Sequence, residues 1–342
     1  MNKNILITGA AGFIASAVTN LLVNKYSEIK FYGLDKMSYC SNEKNLKLSI
    51  DKENFKFIQG DICEIDFMKF IFSEYKIDTV MHFAAYSHVD HSFGNSLIFS
   101  QNNIIGTHTL LEVSKINKIK LFIHISTDEV YGDKEGNSDE YSLLDPTNPY
   151  SASKAAAENL VRGYYHSFKL PVIITRGNNV YGPTQYPEKA IPRFCLRLLQ
   201  GKKCEIQGSG QQTRSFLYID DVADAFELIL FKGKIGEIYN IGSDREISIL
   251  EVITLLINIL YPNLDKDLYL NKEYISFVTD RDFNDQRYNI SSNKLKDLGW
   301  SPKINFEEGL KKTLEWYRQN FIGYWENSDL NIALEQNIRK IN

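Results

Sequence analysis

The sequence predicts an α/β protein, a doubly wound parallel sheet joined to a smaller, discontinuous C-terminal domain. Three observations carry that expectation. Short apolar runs rich in Ile, Val and Phe alternate with segments of helical period, the pattern of parallel strands covered by helices on both faces. The first run, NILIT (4–8), leads straight into the glycine turn TGAAG (8–12) and then a helical stretch. After about residue 177 the rhythm gives way to mixed polar loops with Pro183, Pro187 and Pro192.

Seven strands are expected in the large domain: NILIT (4–8), KFYGLD (30–35), FKFIQ (55–59), DTVMHFA (78–84), KLFIHIS (120–126), PVIITR (171–176) and EIYNIG (237–242). Helical spacing fills the gaps, with helices predicted over Ile14–Lys25, Ile98–Asn117 and Ser151–Phe168. Asn148 and Pro149 suit the start of the last of these. FLYIDDVADAFELILF (216–231) reads as a strand end and a helix that returns to the large domain. The expected division is 1–177 plus 213–242 for one domain and 178–212 plus 243–342 for the other. The 342-residue length suits two domains of roughly 100–200 residues. The last stretch, IALEQNIRKI (332–341), has the spacing of a surface helix.

Bulk composition excludes some classes. A formal net charge of −4 supplies no broad basic face for general nucleic-acid binding. The apolar stretch 5–23 is interrupted by Thr8, Gly9, Gly12, Ser16, Thr19 and Asn20, so it reads as strand, turn and helix, not as a signal peptide or membrane span. Cys40, Cys63, Cys195 and Cys204 form no CxxC pair and no ligand spacing, which fits a reduced cytoplasm.

Gly9, Gly12 and Ala15 fall at the first strand-to-helix turn. Glycine there lets backbone approach a pyrophosphate, and the helix start offers free N–H groups to its charge. A glycine triplet alone also serves ordinary tight turns. Asp35 strengthens the reading, because it ends the second strand, 20 residues beyond Ala15. A carboxylate there bonds ribose hydroxyls and repels the extra phosphate of NADP, so the expected cofactor of this Rossmann-like domain is NAD. The candidate cofactor shell adds Phe13 and Ile14 beyond the glycine turn, Lys36 after the second strand, Asp61 and Ile62 after the third, and Ala84 and Ala85 after the fourth.

Tyr150 and Lys154 lie four apart, on one face of the predicted helix. An ammonium near a phenol favours phenolate, which can take a hydroxyl proton as hydride leaves. STDEVYG (126–132) places Asp128 and Glu129 side by side at the end of a buried strand. Alone, such a pair is most often a solvated loop or a helix cap.

The glycine turn, the Thr-containing strand end and YxxxK together resemble the extended short-chain dehydrogenase/reductase superfamily. STDEVYG, NPYSASKAAAE, RGNNVYGPTQYPEKAIPRF, RSFLYIDDVADAF and DFNDQRY narrow the resemblance to the nucleotide-sugar 4,6-dehydratases, over residues 3–320 or so. Relatives that epimerise or decarboxylate nucleotide sugars share Tyr and Lys but lack the adjacent Asp-Glu pair. The resemblance implies that Tyr150, aided by Lys154 and Thr127, takes the sugar's 4-hydroxyl proton. It implies that Glu129 removes the C5 proton while Asp128 protonates the departing 6-hydroxyl. An elimination wants a base and an acid at once, so two carboxylates with separated pKa values suit it.

The same resemblance implies Ser87, Thr127, Asn178, Glu188 and Lys189 around the sugar and nucleotide, with Asn179 nearer the nicotinamide. A nucleotide sugar also brings a pyrophosphate, for which Arg214, Arg281 and Arg287 are the candidate partners. The family usually has proline after the arginine of its late DRP motif, whereas Asp282 follows Arg281 here, which puts that arginine's role in question. SHVDH (87–91) could hold a metal through His88, Asp90 and His91, but no third ligand has suitable spacing, so no metal is expected. LDKMSYCSNEKNL (34–46) is more similar to the dehydratase domain of plant-type UDP-rhamnose synthases than to bacterial dTDP-glucose dehydratases. UDP-glucose is therefore the expected substrate and dTDP-glucose the alternative. A nucleotide-sugar epimerase or decarboxylase is a further reading, and so is a non-catalytic NAD or nucleotide sensor, which would have no reason to keep all five catalytic candidates. A homodimer through helices near 98–117 and 151–168 is implied by the resemblance alone, and no nucleic-acid or membrane partner is expected.

Overall fold

The computed structural model describes residues 3–134, 136–264, 273–279, 287–325 and 333–334. Its strands are β1 (Asn4–Thr8), β2 (Lys30–Asp35), β3 (Phe55–Gln59), β4 (Thr79–His82), β5 (Leu121–Thr127), β6 (Val172–Gly177), β7 (Asn179–Tyr181), β8 (Cys204–Gln207), β9 (Thr213–Tyr218), β10 (Ile238–Ile241), β11 (Glu246–Ser248) and β12 (Ile275–Val278). Seven of them pair in the order β10-β6-β5-β4-β1-β2-β3, every pair parallel. These are the seven strands read from the sequence, within a residue or two at each end. The chain reverses direction across the sheet between β1 and β4, and a cleft opens at such a point beyond the carboxyl ends of the strands.

The helices are α1 (Phe13–Lys25), α2 (Ile65–Glu74), α3 (Val89–Gly94), α4 (Ser96–Phe99), α5 (Gly106–Ile116), α6 (Pro149–Phe168), α7 (Ala190–Leu199), α8 (Ile219–Lys232), α9 (Ile249–Leu260), α10 (Asn293–Asp297) and α11 (Phe306–Asn320). Alternation along each strand feeds two cores. Ile5 and Ile7 of β1 pack with Val18 and Leu22 of α1 and Phe226 and Ile229 of α8. Leu6 between them packs on the other face with α2, α5 and α6, through Phe72, Leu110 and Val161. Successive residues of one strand thus anchor helices on opposite sides.

A third core joins α7, α9 and α11 through Phe194, Leu256 and Leu314. Two small sheets, β11-β9-β7 and β12-β8, complete this region. Here the boundary read from sequence shifts. Residues 213–218 were assigned to the large domain, but β9 pairs with β7 and β11 in the small sheet. Only α8, which follows it, returns to pack on α1. The predicted helix from Ile98 also differs: α4 and α5 are joined by a π-helical stretch, Ser100–Ile105, in which the Gly106 N–H reaches back to the Gln101 carbonyl. The expected helix over 332–341 lies outside the described residues, apart from Ala333 and Leu334.

Candidate active site

A cavity of about 480 Å³ opens over the carboxyl ends of the parallel strands. Gly9, Gly12, Phe13, Ile14, Asp35, Lys36, Asp61, Ile62, Ala84, Ala85 and Asn179 are among the residues that line it. Gly9 has φ +69°, and a Cβ there would come within 2.9 Å of the Ala84 backbone. The turn is therefore glycine both for its conformation and for the close passage of the loop after β4. Asp35 is buried, and its carboxylate accepts from the Ala11 N–H at 3.1 Å, the Met37 N–H at 2.8 Å and the Ser41 hydroxyl at 2.9 Å. Three of its roughly four acceptor positions are thus used, which fixes its orientation and leaves capacity for one further donor. Burial raises its pKa, and these bonds oppose the rise. Lys36 donates to Asn102 at 2.7 Å and covers the Tyr86 ring. A glycine turn, a helix start and an oriented buried carboxylate in one cavity fit a dinucleotide.

Thr127, Glu129, Tyr150 and Lys154, the acid–base candidates, line the same cavity. β5 stops at Thr127, whose hydroxyl accepts the Glu129 N–H and so caps the single turn Asp128–Tyr131. Gly132 ends that turn at φ +75°, where a Cβ would collide with the Asp145 carbonyl oxygen. The Thr127 hydroxyl donates to Asp128 at 3.1 Å and also meets the Tyr150 phenol. Asp128 is buried just behind the cavity wall and accepts from Asn178 at 2.6 Å. Burial, then the neighbouring Glu129 charge, push its pKa up to about 7. Glu129 itself lines the cavity.

Asn148 links this turn to α6. Its side-chain oxygen accepts the Ser151 N–H in a capping box, while its amide nitrogen donates to Glu129 at 3.2 Å. Tyr150 and Lys154 then follow on the face of α6 turned to the cavity. Burial lowers the Lys154 pKa to about 8, with Glu158 opposing, and the ammonium donates to the Ile125 carbonyl at 2.6 Å. The sequence suggested that Lys154 would lower the Tyr150 pKa. Among the protein's own groups the balance runs the other way: burial and the Glu129 charge raise the phenol pKa, and the Thr127 hydrogen bond opposes them.

Behind the turn lies a buried ion pair. Arg176 of β6 and Glu158 of α6 are 1% and 0% exposed and bonded through two guanidinium nitrogens. Arg176 also donates to Tyr131 at 2.7 Å, and Tyr131 donates to Asn240 of β10 at 2.9 Å. This network ties the Asp128–Tyr131 turn, the helix carrying Tyr150 and two strands into one unit.

Ser87, Asn178, Glu188, Lys189 and Arg214 line the remaining wall. Arg214 lies over the Tyr288 ring at 5.0 Å and its charge reaches Asp128. Arg287 does not join the cavity lining: its guanidinium makes two bonds, 2.6 and 2.5 Å, to Glu246. Arg281 lies outside the described residues.

The GDP-mannose 4,6 dehydratase family profile matches residues 6–313. The chain belongs to that family. The dTDP-D-glucose 4,6-dehydratase of Dictyostelium discoideum is 48% identical over 374 residues, 98% of this chain and 86% of that protein. A trifunctional Arabidopsis thaliana protein, UDP-glucose 4,6-dehydratase/UDP-4-keto-6-deoxy-D-glucose 3,5-epimerase/UDP-4-keto-L-rhamnose-reductase, is 52% identical over 324 residues. That match takes in 93% of this chain but 48% of the plant protein, so the chain spans about half of its length. The crystal structure of the Streptomyces venezuelae dTDP-glucose 4,6-dehydratase with NAD and TYD bound has a TM-score of 0.87 and 36% identity, covering 94% of this chain and 99% of that one. The motif-based resemblance to nucleotide-sugar 4,6-dehydratases is borne out.

Some lining residues of this family member escaped the sequence reading. Arg193 lies one helical turn beyond Lys189 and lines the cavity, a spacing that was there to be read. Tyr288 adjoins Arg287 and lines the cavity in its place. Tyr39, which donates to Glu188 at 2.8 Å, carries no local signal, because the loop after β2 meets that residue only through the tertiary fold. The same holds for metal ligation: Glu188 is remote from His88 and His91 in sequence but approaches both in space.

Proposed function

We propose that this chain is an NAD-dependent nucleotide-diphosphate-glucose 4,6-dehydratase that converts UDP-glucose to UDP-4-keto-6-deoxyglucose, for rhamnose-type deoxysugar synthesis. The observation that carries the reading is the meeting, in one cavity, of the Tyr150–Lys154 pair with Thr127 and Glu129, the residues that flank buried Asp128 in the same turn. An oxidation alone would need only the first.

Gly9, Gly12, Asp35 and the α1 start would hold NAD, which supplies a hydride acceptor and later a hydride donor when bound. Tyr150 takes the 4-hydroxyl proton as C4 is oxidised; with Asp128 protonated, the single Thr127 hydroxyl proton turns from Asp128 to stabilise the phenolate. The 4-ketone acidifies the neighbouring C5–H. Glu129, held by Asn148, removes that proton from the cavity side. Asp128 keeps its own proton to about pH 7 and delivers it to the departing 6-hydroxyl. The Glu129 charge is one cause of that raised pKa, so the base helps keep the acid protonated. Buried and coupled, the two carboxyls divide the work between them.

UDP-glucose and dTDP-glucose differ by a base methyl and a ribose 2′-hydroxyl. One buried methyl is worth about 0.8 kcal/mol, so a thymine pocket discriminates weakly. A site that bonds the 2′-hydroxyl loses more when that group is absent. The names of the relatives support both sugars. The free state of all four cysteines supports a cytoplasmic setting, and no described helix is long and apolar enough to cross a membrane. Leu97, Ile98, Ile105 and Ile116 are exposed along α4 to α5, an apolar stripe that supports a homodimer.

The test is to incubate purified protein with each sugar and identify products by mass and NMR. Loss of water with a 4-ketone, no accumulation of NADH, and a larger kcat/KM for UDP-glucose are expected. A C4 epimer without water loss would overturn the dehydratase reading. A kcat/KM for dTDP-glucose equal to or above that for UDP-glucose would overturn only the nucleotide assignment.

A further inference from the structure

The loop after β4 enters α3 through His88 and His91, and the segment before α7 brings Glu188 against both. One possible ligand atom from each of the three lies within 4.8 Å of the other two. We propose that His88, His91 and Glu188 form a site for Zn2+ or a closely similar transition-metal cation. The ion is not part of the reaction. It inhibits, by occupying the wall that Glu188 presents to the sugar nucleotide, and in that respect the inference rests on the function proposed above.

Two imidazoles and one carboxylate are a ligand set that zinc takes with a fourth position left open. His88 and Glu188 are each 8% exposed, with the His88 Nε2 3.9 Å from a Glu188 oxygen. The two imidazole rings stack with centroids 4.2 Å apart. The Tyr39 hydroxyl donates to Glu188 at 2.8 Å and lies 3.4 Å from the His91 Nδ1. It thereby restrains the orientation of two prospective ligands, as hydrogen bonds outside the metal's own ligands usually do. Zinc bonds of about 2.0–2.2 Å set ligand atoms roughly 3.3–3.6 Å apart, so the cluster needs to tighten by about 1 Å. Side-chain rotation supplies that. The His88 Nδ1 accepts the His91 backbone N–H at 3.4 Å, a long bond that places the ring proton on Nε2. Moving that proton to Nδ1 frees Nε2 for the metal, at the cost of this long contact and of the hydrogen bond between the His88 ring and the Glu188 backbone.

Charge decides which cation fits. Asp90 favours a cation here, while Lys189 and Arg193 oppose one. A hard ion held mainly by charge, such as Mg2+, gains little from such a balance, whereas zinc gains from the imidazole nitrogens. Glu188 lines the cavity with Glu129 and Tyr150 and is among the residues proposed to face the sugar nucleotide, so an ion held by its carboxylate competes with that ligand.

The test uses the full-length holoenzyme after chelator treatment. Stoichiometric Co2+ should give the visible ligand-field bands of a tetrahedral nitrogen–oxygen site. Zinc at ten times its dissociation constant should raise the apparent KM for the sugar nucleotide about elevenfold with kcat unchanged, by simple competition. Mg2+ at the same concentration should do neither. His91→Asn should lose both the cobalt bands and the zinc inhibition while keeping its uninhibited kcat/KM. Absent cobalt bands, or zinc inhibition that persists in His91→Asn, would overturn the site. The cobalt arm reads binding directly, so it stands apart from any failure to turn over UDP-glucose.

Discussion

At the scale of single residues, Asn148 links the two groups of the proposed reaction, because its oxygen caps the helix bearing Tyr150 and its nitrogen holds Glu129. Replacing Glu129 with Gln should preserve that bond and the oxidation machinery while removing the base. The variant is expected to retain C4 oxidation, to lose at least a hundredfold in dehydration, within the usual range for a general base, and to place no deuterium at C5 in heavy water. Product formation within tenfold of the wild type would assign the base elsewhere. Asp128 makes a prediction about pH. Folded, it holds its proton to about pH 7, whereas an unfolded aspartate releases it near 4. Its contribution to stability is thus full below pH 4 and lost as pH rises through 7. Asp128→Asn should therefore be more stable than the wild type at pH 8, by up to about 4 kcal/mol (about three pKa units at about 1.4 kcal/mol each), with the gap closing toward pH 4 in denaturant titrations. In the wild type, the elimination step should fall as pH rises past 7. These two carboxylates were legible as a pair in the sequence, since STDEVYG is local. Which of them is buried was not, because Asn178, the partner that holds Asp128, comes from beyond another strand.

Among elements, α6 and β6 depend on the Glu158–Arg176 pair. Removing one partner of a buried ion pair leaves the other uncompensated, at about 3–5 kcal/mol, whereas replacing both by apolar residues of similar size is often near neutral. Glu158→Gln should lower unfolding stability by at least 2 kcal/mol, and Glu158→Leu with Arg176→Met should recover more than half of the loss. Guanidinium chloride unfolding of both variants decides this, and a single variant within 1 kcal/mol of the wild type would contradict the burial described. The strands were legible almost to the residue, because a parallel sheet buried on both faces leaves continuous apolar runs. The ion pair was not: Glu158 reads as the polar face of an amphipathic helix, and only the packing of β6 beneath it shows otherwise.

For the whole molecule, the apolar stripe from Leu97 to Ile116 makes the association state the first test. Leu97→Asp with Ile105→Asp should convert a dimer to monomers in sedimentation velocity, and a wild type that already sediments as a monomer would end the proposal. The large domain was legible because each βα unit announces itself locally. The seam with the small domain was less so: β9 reads as one more strand, and nothing in its own residues says which sheet it joins. The π-helical stretch Ser100–Ile105 has a consequence at this scale too. It turns Asn102 and Asn103 inward, where Lys36 donates to Asn102, and Asn103 clamps the Tyr86 backbone and Ser153 beside the site. The Leu97–Ile105 stripe faces outward from the same stretch. Each residue of a regular helix advances about 100°, so the wide turn acts as a phase shift between α4 and α5. A chain one codon shorter in this stretch would form a more regular helix, with one of its two faces rotated by about 100° out of register.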